Sequence, residues 1–209
     1  MSIYPLVTCA KCTHRCDNKS LNVYNFVSDV ERSEAVEEHI LRHINLRGQG
    51  QLICRKTDQP GYPDLEIALS SSSKIVRARL EVKFQTRAFM KVSAILPQAD
   101  LVAWETIALN LSDLERYIKI YRDENIPTHL VWRLQRHCLG DRFLYQDITV
   151  LGDILDNYRD RRRYKRATGS GDVDEHGKHR GVLVNYHFSV NELIPFNSYL
   201  DFLDHLTTV

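Results

Sequence analysis

No stretch of the 209-residue chain is apolar over the ~20 residues that a membrane-spanning helix requires. The N-terminal MSIYPLVTCAKCTHRC lacks a charged segment followed by a long apolar core, so no signal peptide is read there and an intracellular, cytoplasmic protein is expected. Excess charge is also missing. A formal net charge of +1 neither supports nor excludes a nucleic-acid partner, which would need only a local basic surface. Five cysteines is an odd number, and a reducing compartment makes structural disulfides unexpected. A second C-x2-C pair is absent as well. Cys9, Cys12 and Cys16 place three soft ligands within eight residues, and tetrahedral zinc would need a fourth from Cys54, His14, His39 or His43. Zn2+, reduced thiols and an iron–sulfur cluster all remain open at these cysteines. Cys138 reads as a lone structural thiol.

What is present is an ordinary globular composition, 43% hydrophobic and 26% charged, in a chain long enough for one domain with a proper core. Its most informative stretch is GYPDLEIALSSSSKIVRARLEVKFQ, residues 61–85. Strand side chains alternate faces, so Glu81, Lys83 and Gln85 share one face while Ala78, Leu80, Val82 and Phe84 fill the other. By the same alternation Asp64, Glu66 and Ala68 oppose Leu65, Ile67 and Leu69. The serines with Lys74 form a polar turn between the two strands. Paired as a hairpin, they bring Asp64 toward Glu81 and Lys83. Two carboxylates beside an ammonium suit a hard divalent cation and a phosphodiester.

This stretch resembles the PD-(D/E)XK, or restriction-endonuclease-like, nuclease superfamily through Pro63-Asp64 and Glu81-Val82-Lys83. Gly61 and Leu65 around Pro63-Asp64 are similar to the G-x-PDL of the VRR-NUC branch, near the Holliday-junction-resolvase-like nucleases. The resemblance implies an α/β fold with an α-β-β-β-α-β core, a mixed central sheet flanked by helices, and a C-terminal extension. It further implies Mg2+ (or Mn2+) on Asp64 and Glu81, a glutamate contributed by the first helix, Lys83 orienting water and neutralising charge, and Gln85 positioning substrate. The products would carry a 5′-phosphate and a 3′-hydroxyl.

The rest of the chain is consistent with that order. Residues 28–46 are expected to be helical, opened by a Ser28-x-x-Glu31 capping box and followed by Gly48. Val30, Ile40, Leu41 and Ile44 share its apolar face, with Val36 at the edge and Glu37 in the middle. A carboxylate there needs compensation, which makes Glu37 the candidate helix glutamate, with Glu34 in reserve. A partly exposed glutamate, or one paired with Arg42 or Arg47, is the other reading of Glu37. Residues 51–57 read as a strand, and 58–61 as a turn. Residues 86–111 have mixed periods and are expected to hold some helix or an extra strand. A second helix spans 112–126, with Ser112-x-x-Glu115 as capping box and Leu114, Tyr117, Ile118 and Tyr121 as a core-facing stripe. A strand over 128–137 completes the order.

Residues 138–209 form the C-terminal extension to the 28–137 core, with 1–27 as the cysteine-bearing segment. Residues 153–166 are expected to be helical and to end in Arg159, Arg161, Arg162, Arg163, Lys165 and Arg166, which are either a solvated helix end or phosphate contacts. A polar glycine-rich loop over 167–181 carries Asp172, Asp174, Glu175, His176 and His179. A strand over 181–189 and a helix or cap over 192–206 close the chain. The expected function is a Mg2+-dependent DNA endonuclease, with DNA as partner, a homodimer left open, and no membrane. The alternative is a non-catalytic nucleic-acid-binding or zinc-dependent interaction subunit that keeps the fold.

Overall fold

The computed structural model describes residues 26–86, 88–89, 91–136, 139–165 and 184–207. The first helix, α1 (Phe26–Arg47), starts two residues before Ser28. Ser28 and Glu31 therefore both lie inside the helix and not at its expected start. Val36, Ile40 and Ile44 are buried and Leu41 partly so, whereas Val30 is exposed, so the buried stripe begins one turn later than the periodicity suggested. Gly48 ends the helix where a side chain could not fit, since a Cβ there would lie 2.7 Å from the Leu52 Cβ.

Strands β1 (Leu52–Lys56), β2 (Leu65–Leu69) and β3 (Val76–Gln85) follow as an antiparallel meander, with the serine turn between the last two. After a short helix, α2 (Val92–Ile95), and strand β4 (Thr106–Asn110), helix α3 (Leu111–Glu124) crosses over to β5 (Thr128–Arg136). β5 lies parallel to β3, with Glu81 opposite Leu130 and Lys83 opposite Trp132. The N-cap of α3 is Asn110, which makes no side-chain capping bond, and Ser112 lies inside the helix. The Ser112–Glu115 box is therefore also corrected. Asn125, in left-handed conformation at φ 55°, and Pro127 stop α3 as expected.

β6 (Gly140–Asp147) pairs antiparallel with β5, followed by α4 (Ile148–Tyr158), β7 (Arg163–Lys165), β8 (Val184–Ser189), β9 (Ile194–Pro195) and α5 (Phe196–Thr207). Among the described residues the main sheet runs β1-β2-β3-β5-β6-β9, and a smaller sheet runs β4-β8-β7. The expected α-β-β-β-α-β series is therefore present, as a mixed central sheet flanked by helices. The expected helix over 153–166 is present only as far as Tyr158. α4 starts at Ile148, capped by Asp147 accepting from the Thr149 N–H at 2.7 Å, and ends at Tyr158. Arg159 then takes φ 42°, and the basic run continues as a 3-10 turn and an edge strand.

Each face of the main sheet closes a core. On one side Ala78, Leu80 and Val82 pack with Leu65 and Ile67 beneath α1 and α5. On the other, Leu130, Trp132 and Leu134 pack beneath α3, α4 and Ile107, Leu109, Tyr186 and Phe188 of the smaller sheet. Two carboxamides cover strand edges. Asn45 donates to the Cys54 carbonyl (2.9 Å) and accepts from its N–H (2.8 Å), which shields the outer edge of β1. Gln85 makes the corresponding pair with Ala108 of β4, donating at 2.5 Å and accepting at 3.4 Å. Among the described residues no helix is long and apolar enough to cross a membrane.

Candidate active site

The hairpin register positions the site. Leu65 pairs with Leu80, so Asp64, one residue before β2, comes to lie across from Glu81. Its carboxylate is fixed there by the Val82 N–H, which donates to Oδ2 at 2.8 Å. Glu81 projects from the middle of β3 and is only 2% exposed. The Lys83 ammonium, two residues on, donates to Glu81 Oε1. The other oxygen, Glu81 Oε2, is buried with no hydrogen-bond partner among the described residues. The structure thus brings Asp64, Glu81 and Lys83 together on one face, the face that alternation assigns to them.

The electrostatics of this trio are unbalanced. Burial, followed by the neighbouring Glu81 charge, pushes the Asp64 carboxyl up to about 7, even though the Val82 hydrogen bond and Lys83 act the other way. Burial pulls the Lys83 ammonium down, but Glu81, Asp64 and Asp113 outweigh it and hold the group above its ordinary value. One lysine does not compensate two desolvated carboxylates, and a divalent cation would.

The donor set fits such an ion. Asp64 and Glu81 supply hard oxygens, one of them buried and without a partner, which is otherwise costly. Among the described residues no group of three or more His, Cys, Asp or Glu side chains converges to hold a metal. Mg2+ commonly uses only one or two carboxylates and keeps waters and substrate oxygens as its remaining ligands.

The other candidates are placed as follows. Glu37 sits on the α1 side, half-buried, and pairs with Lys56 of β1 at 3.2 Å, a partner that the sequence reading did not consider. It is near enough to Asp64 to contribute to its raised carboxyl value. Glu34 is exposed. Gln85 shares the face of Glu81, but its amide is committed to Ala108, and Arg136 also donates to its oxygen at 3.4 Å. In this arrangement it braces β3 against the smaller sheet.

Cys54 is buried in the core beneath α1, where burial pushes its thiol up to about 12 and leaves it unreactive. His39 and His43 are exposed on α1 with rings 6.3 Å apart. Cys9, Cys12, His14, Cys16 and Cys138 lie outside the described residues, as do Arg166 and the Asp172–His179 group.

The basic run is not a uniform surface. Arg162 is 4% exposed, packs over the Tyr158 ring at 3.7 Å and donates to both Glu192 oxygens at 2.7 and 2.8 Å. It holds the fold together and is removed from the expected phosphate contacts. Arg159, Arg161, Arg163 and Lys165 remain exposed.

Three residues of α3 complete the site and were not singled out as functional by sequence. The Tyr117 hydroxyl is set against Glu81, and burial followed by that carboxylate holds it far above the usual phenol range. Asp113 faces Lys83 and binds Arg116 at 2.7 Å. Tyr117 belongs to an apolar stripe, which hid its polar end. The available signal was the β3–α3–β5 order itself, which lays the helix over the Glu81 face.

No protein-family model matches the chain, and neither does any curated protein. Among solved structures, Hjc of Archaeoglobus fulgidus, a Holliday junction resolvase from an archaeal hyperthermophile, is similar over 81% of this chain and 96% of its own. The TM-score is 0.42 and the identity 8%, a loose likeness in chain path alone.

Proposed function

We propose that the chain is a divalent-metal-dependent phosphodiesterase acting on DNA, an endonuclease of the repair, recombination or restriction type. The observation that carries this reading is the pair of adjacent desolvated carboxylates, Asp64 and Glu81, with a partnerless buried oxygen and Lys83 on the same strand face. Asp64 and Glu81 would hold Mg2+ or Mn2+, with Glu37 assisting from α1. Such an ion supplies Lewis acidity and neutralises charge that develops on a phosphate.

The chain's own groups do the rest. The Val82 N–H fixes the Asp64 carboxylate, Lys83 fixes Glu81, and the Tyr117 hydroxyl lies beside Glu81. Lys83 holds its proton firmly, so it serves as a donor to the attacking water or to a non-bridging phosphate oxygen and does not act as a base. Groups preorganised in this way act by electrostatic stabilisation of the transition state. Hydrolysis by this route would leave a 5′-phosphate and a 3′-hydroxyl.

The test is incubation of the purified protein with linear, flapped and four-way branched DNA in Mg2+ or Mn2+, with chelator as control, followed by end-group analysis. Metal-dependent scission of at least one substrate is expected. No scission, together with no calorimetric Mg2+ or Mn2+ binding, overturns the reading.

A further inference from the structure

Arg116 lies on the second turn of α3, next to Tyr117, which is set against Glu81. Its side chain lies against the backbone of Gly61, where a Cβ would sit 3.6 Å from Arg116 Cδ and 3.7 Å from Nε. Gly61 opens the loop that delivers Asp64, and its φ of +83° is one that side-chain-bearing residues rarely adopt. On the other side, Arg116 Nη2 donates to Asp113 at 2.7 Å and reaches the Tyr117 hydroxyl at 3.4 Å, and Tyr117 in turn faces Glu81. Arg116 therefore lies between the loop that precedes Asp64 and the tyrosine set against Glu81.

Unlike the buried arginines nearby, Arg116 keeps 41% of its side-chain surface open. Its Nε and Nη1 make no hydrogen bond among the described residues. Nη2 is held by the protein, while Nε and Nη1 each keep an unused N–H. That arrangement leaves charged N–H donors for phosphate oxygens, with little side-chain freedom left to lose on binding.

We propose that Arg116 is the phosphate anchor of this site, gripping non-bridging oxygens of the bound DNA strand while Asp113 and Tyr117 hold the guanidinium in place. The proposal rests on the phosphodiesterase reading and deepens it, because it assigns substrate grip to a residue outside the Asp64, Glu81 and Lys83 set.

The experiment uses the full chain and a short DNA duplex in Ca2+, with affinity read by fluorescence anisotropy across a salt series. Cleavage in Mg2+ and Ca2+ affinity are measured on the same preparations. Arg116→Ala should weaken DNA binding about 10- to 100-fold, the range for one lost charge-assisted contact. It should also reduce the salt slope by about one. Arg116→Lys should recover only part of the loss, since it keeps the charge but loses the hold of Asp113 and Tyr117 on the guanidinium. Arg122→Ala, an exposed arginine further along α3, should bind like wild type. Ca2+ affinity and melting temperature should be unchanged in Arg116→Ala.

Equal DNA affinity for Arg116→Ala and Arg122→Ala overturns the proposal, as does a parallel loss of Ca2+ affinity, which would mark a merely structural role. A wild type that neither binds nor cuts DNA removes the phosphodiesterase reading, and this proposal with it. A wild type that cuts, paired with an Arg116→Ala that binds normally, removes this proposal alone.

Discussion

Two charged stretches of this chain put their charges to opposite use. On β3 the sequence Arg79-x-Glu81-x-Lys83 places its charges on one strand face. Arg79 is neutralised by Glu124 at 2.7 Å, whereas Glu81 is pressed against a second carboxylate, Asp64. In the run from Arg159 to Lys165, the buried member, Arg162, has a dedicated carboxylate, and the rest face solvent. Arg161 and Arg163 rest on neighbouring backbone, a ring and Asp160. Where burial serves folding, the charge is compensated. Asp64 and Glu81 share the single ammonium of Lys83, and under the proposed function a divalent cation would supply the remaining charge. Incompletely compensated buried charge is costly and is found disproportionately at functional sites.

The largest expected effect lies in the compensated region. Arg162→Ala strands Glu192 beside a buried gap and should cost roughly 3–5 kcal/mol. For a chain of this size that lowers the melting temperature by roughly 6–20 °C. Calorimetry that finds less than a degree would mean the pair contributes nothing and would blur the contrast.

The uncompensated region should give the opposite response. The Asp64 carboxyl titrates near 7 in the folded protein, above its unfolded value, so the metal-free native state binds the extra proton between those limits. Its stability should then fall as pH rises from about 4 to 7, by up to about 4 kcal/mol. His129 acts in the other direction: burial lowers it to about 4, so it disfavours folding as pH drops below its ordinary value. Melting curves in chelator for wild type and Asp64→Asn, at pH 5 and pH 8, isolate the aspartate. Wild type should gain on the substituted protein as pH falls, and added Mg2+ should remove the difference at pH 8. The same pH response in both proteins would mean that Asp64 is already compensated.

The smallest effect belongs to the exposed arginines. Arg161→Ala combined with Arg163→Ala should change stability by no more than about 0.5 kcal/mol. If they meet DNA, each lost phosphate contact lowers the salt slope by about one. An unchanged slope leaves them as solvated side chains.

The sequence made the first half of the fold readable because local patterns there agree with tertiary ones. Period two through Leu65, Ile67, Leu80 and Val82, and the placement of α1, β1 and α3, set the hairpin and the trio at its centre. It misled where a distant partner decides the local conformation. Residues 159–166 carry helix-forming arginines, but Arg162 is drawn to Glu192, thirty residues on, and the chain leaves the helix at Arg159 to reach it. β6 was not anticipated, and β4 was only one alternative within residues 86–111. Ile107 and Leu109 are buried by pairing with Phe188 and Tyr186, contacts that nothing local signals. Gln85 looked like a substrate contact because alternation places it beside Lys83. Its real neighbour, Ala108, is fixed only by the smaller sheet.

The central claim is that Asp64, Glu81 and Lys83 form a metal-dependent catalytic site, and Lys83→Ala tests it most directly. The substitution leaves both carboxylates in place, so Mg2+ binding should survive. It removes the ammonium that would meet the scissile phosphate, and losing one preorganised donor typically costs ~10²–10³ in rate. Cleavage in Mg2+ and gel-shift affinity should be measured side by side for both proteins. Loss of detectable cleavage with only a modest fall in DNA affinity is the predicted result, and equal cleavage by both proteins would contradict the account.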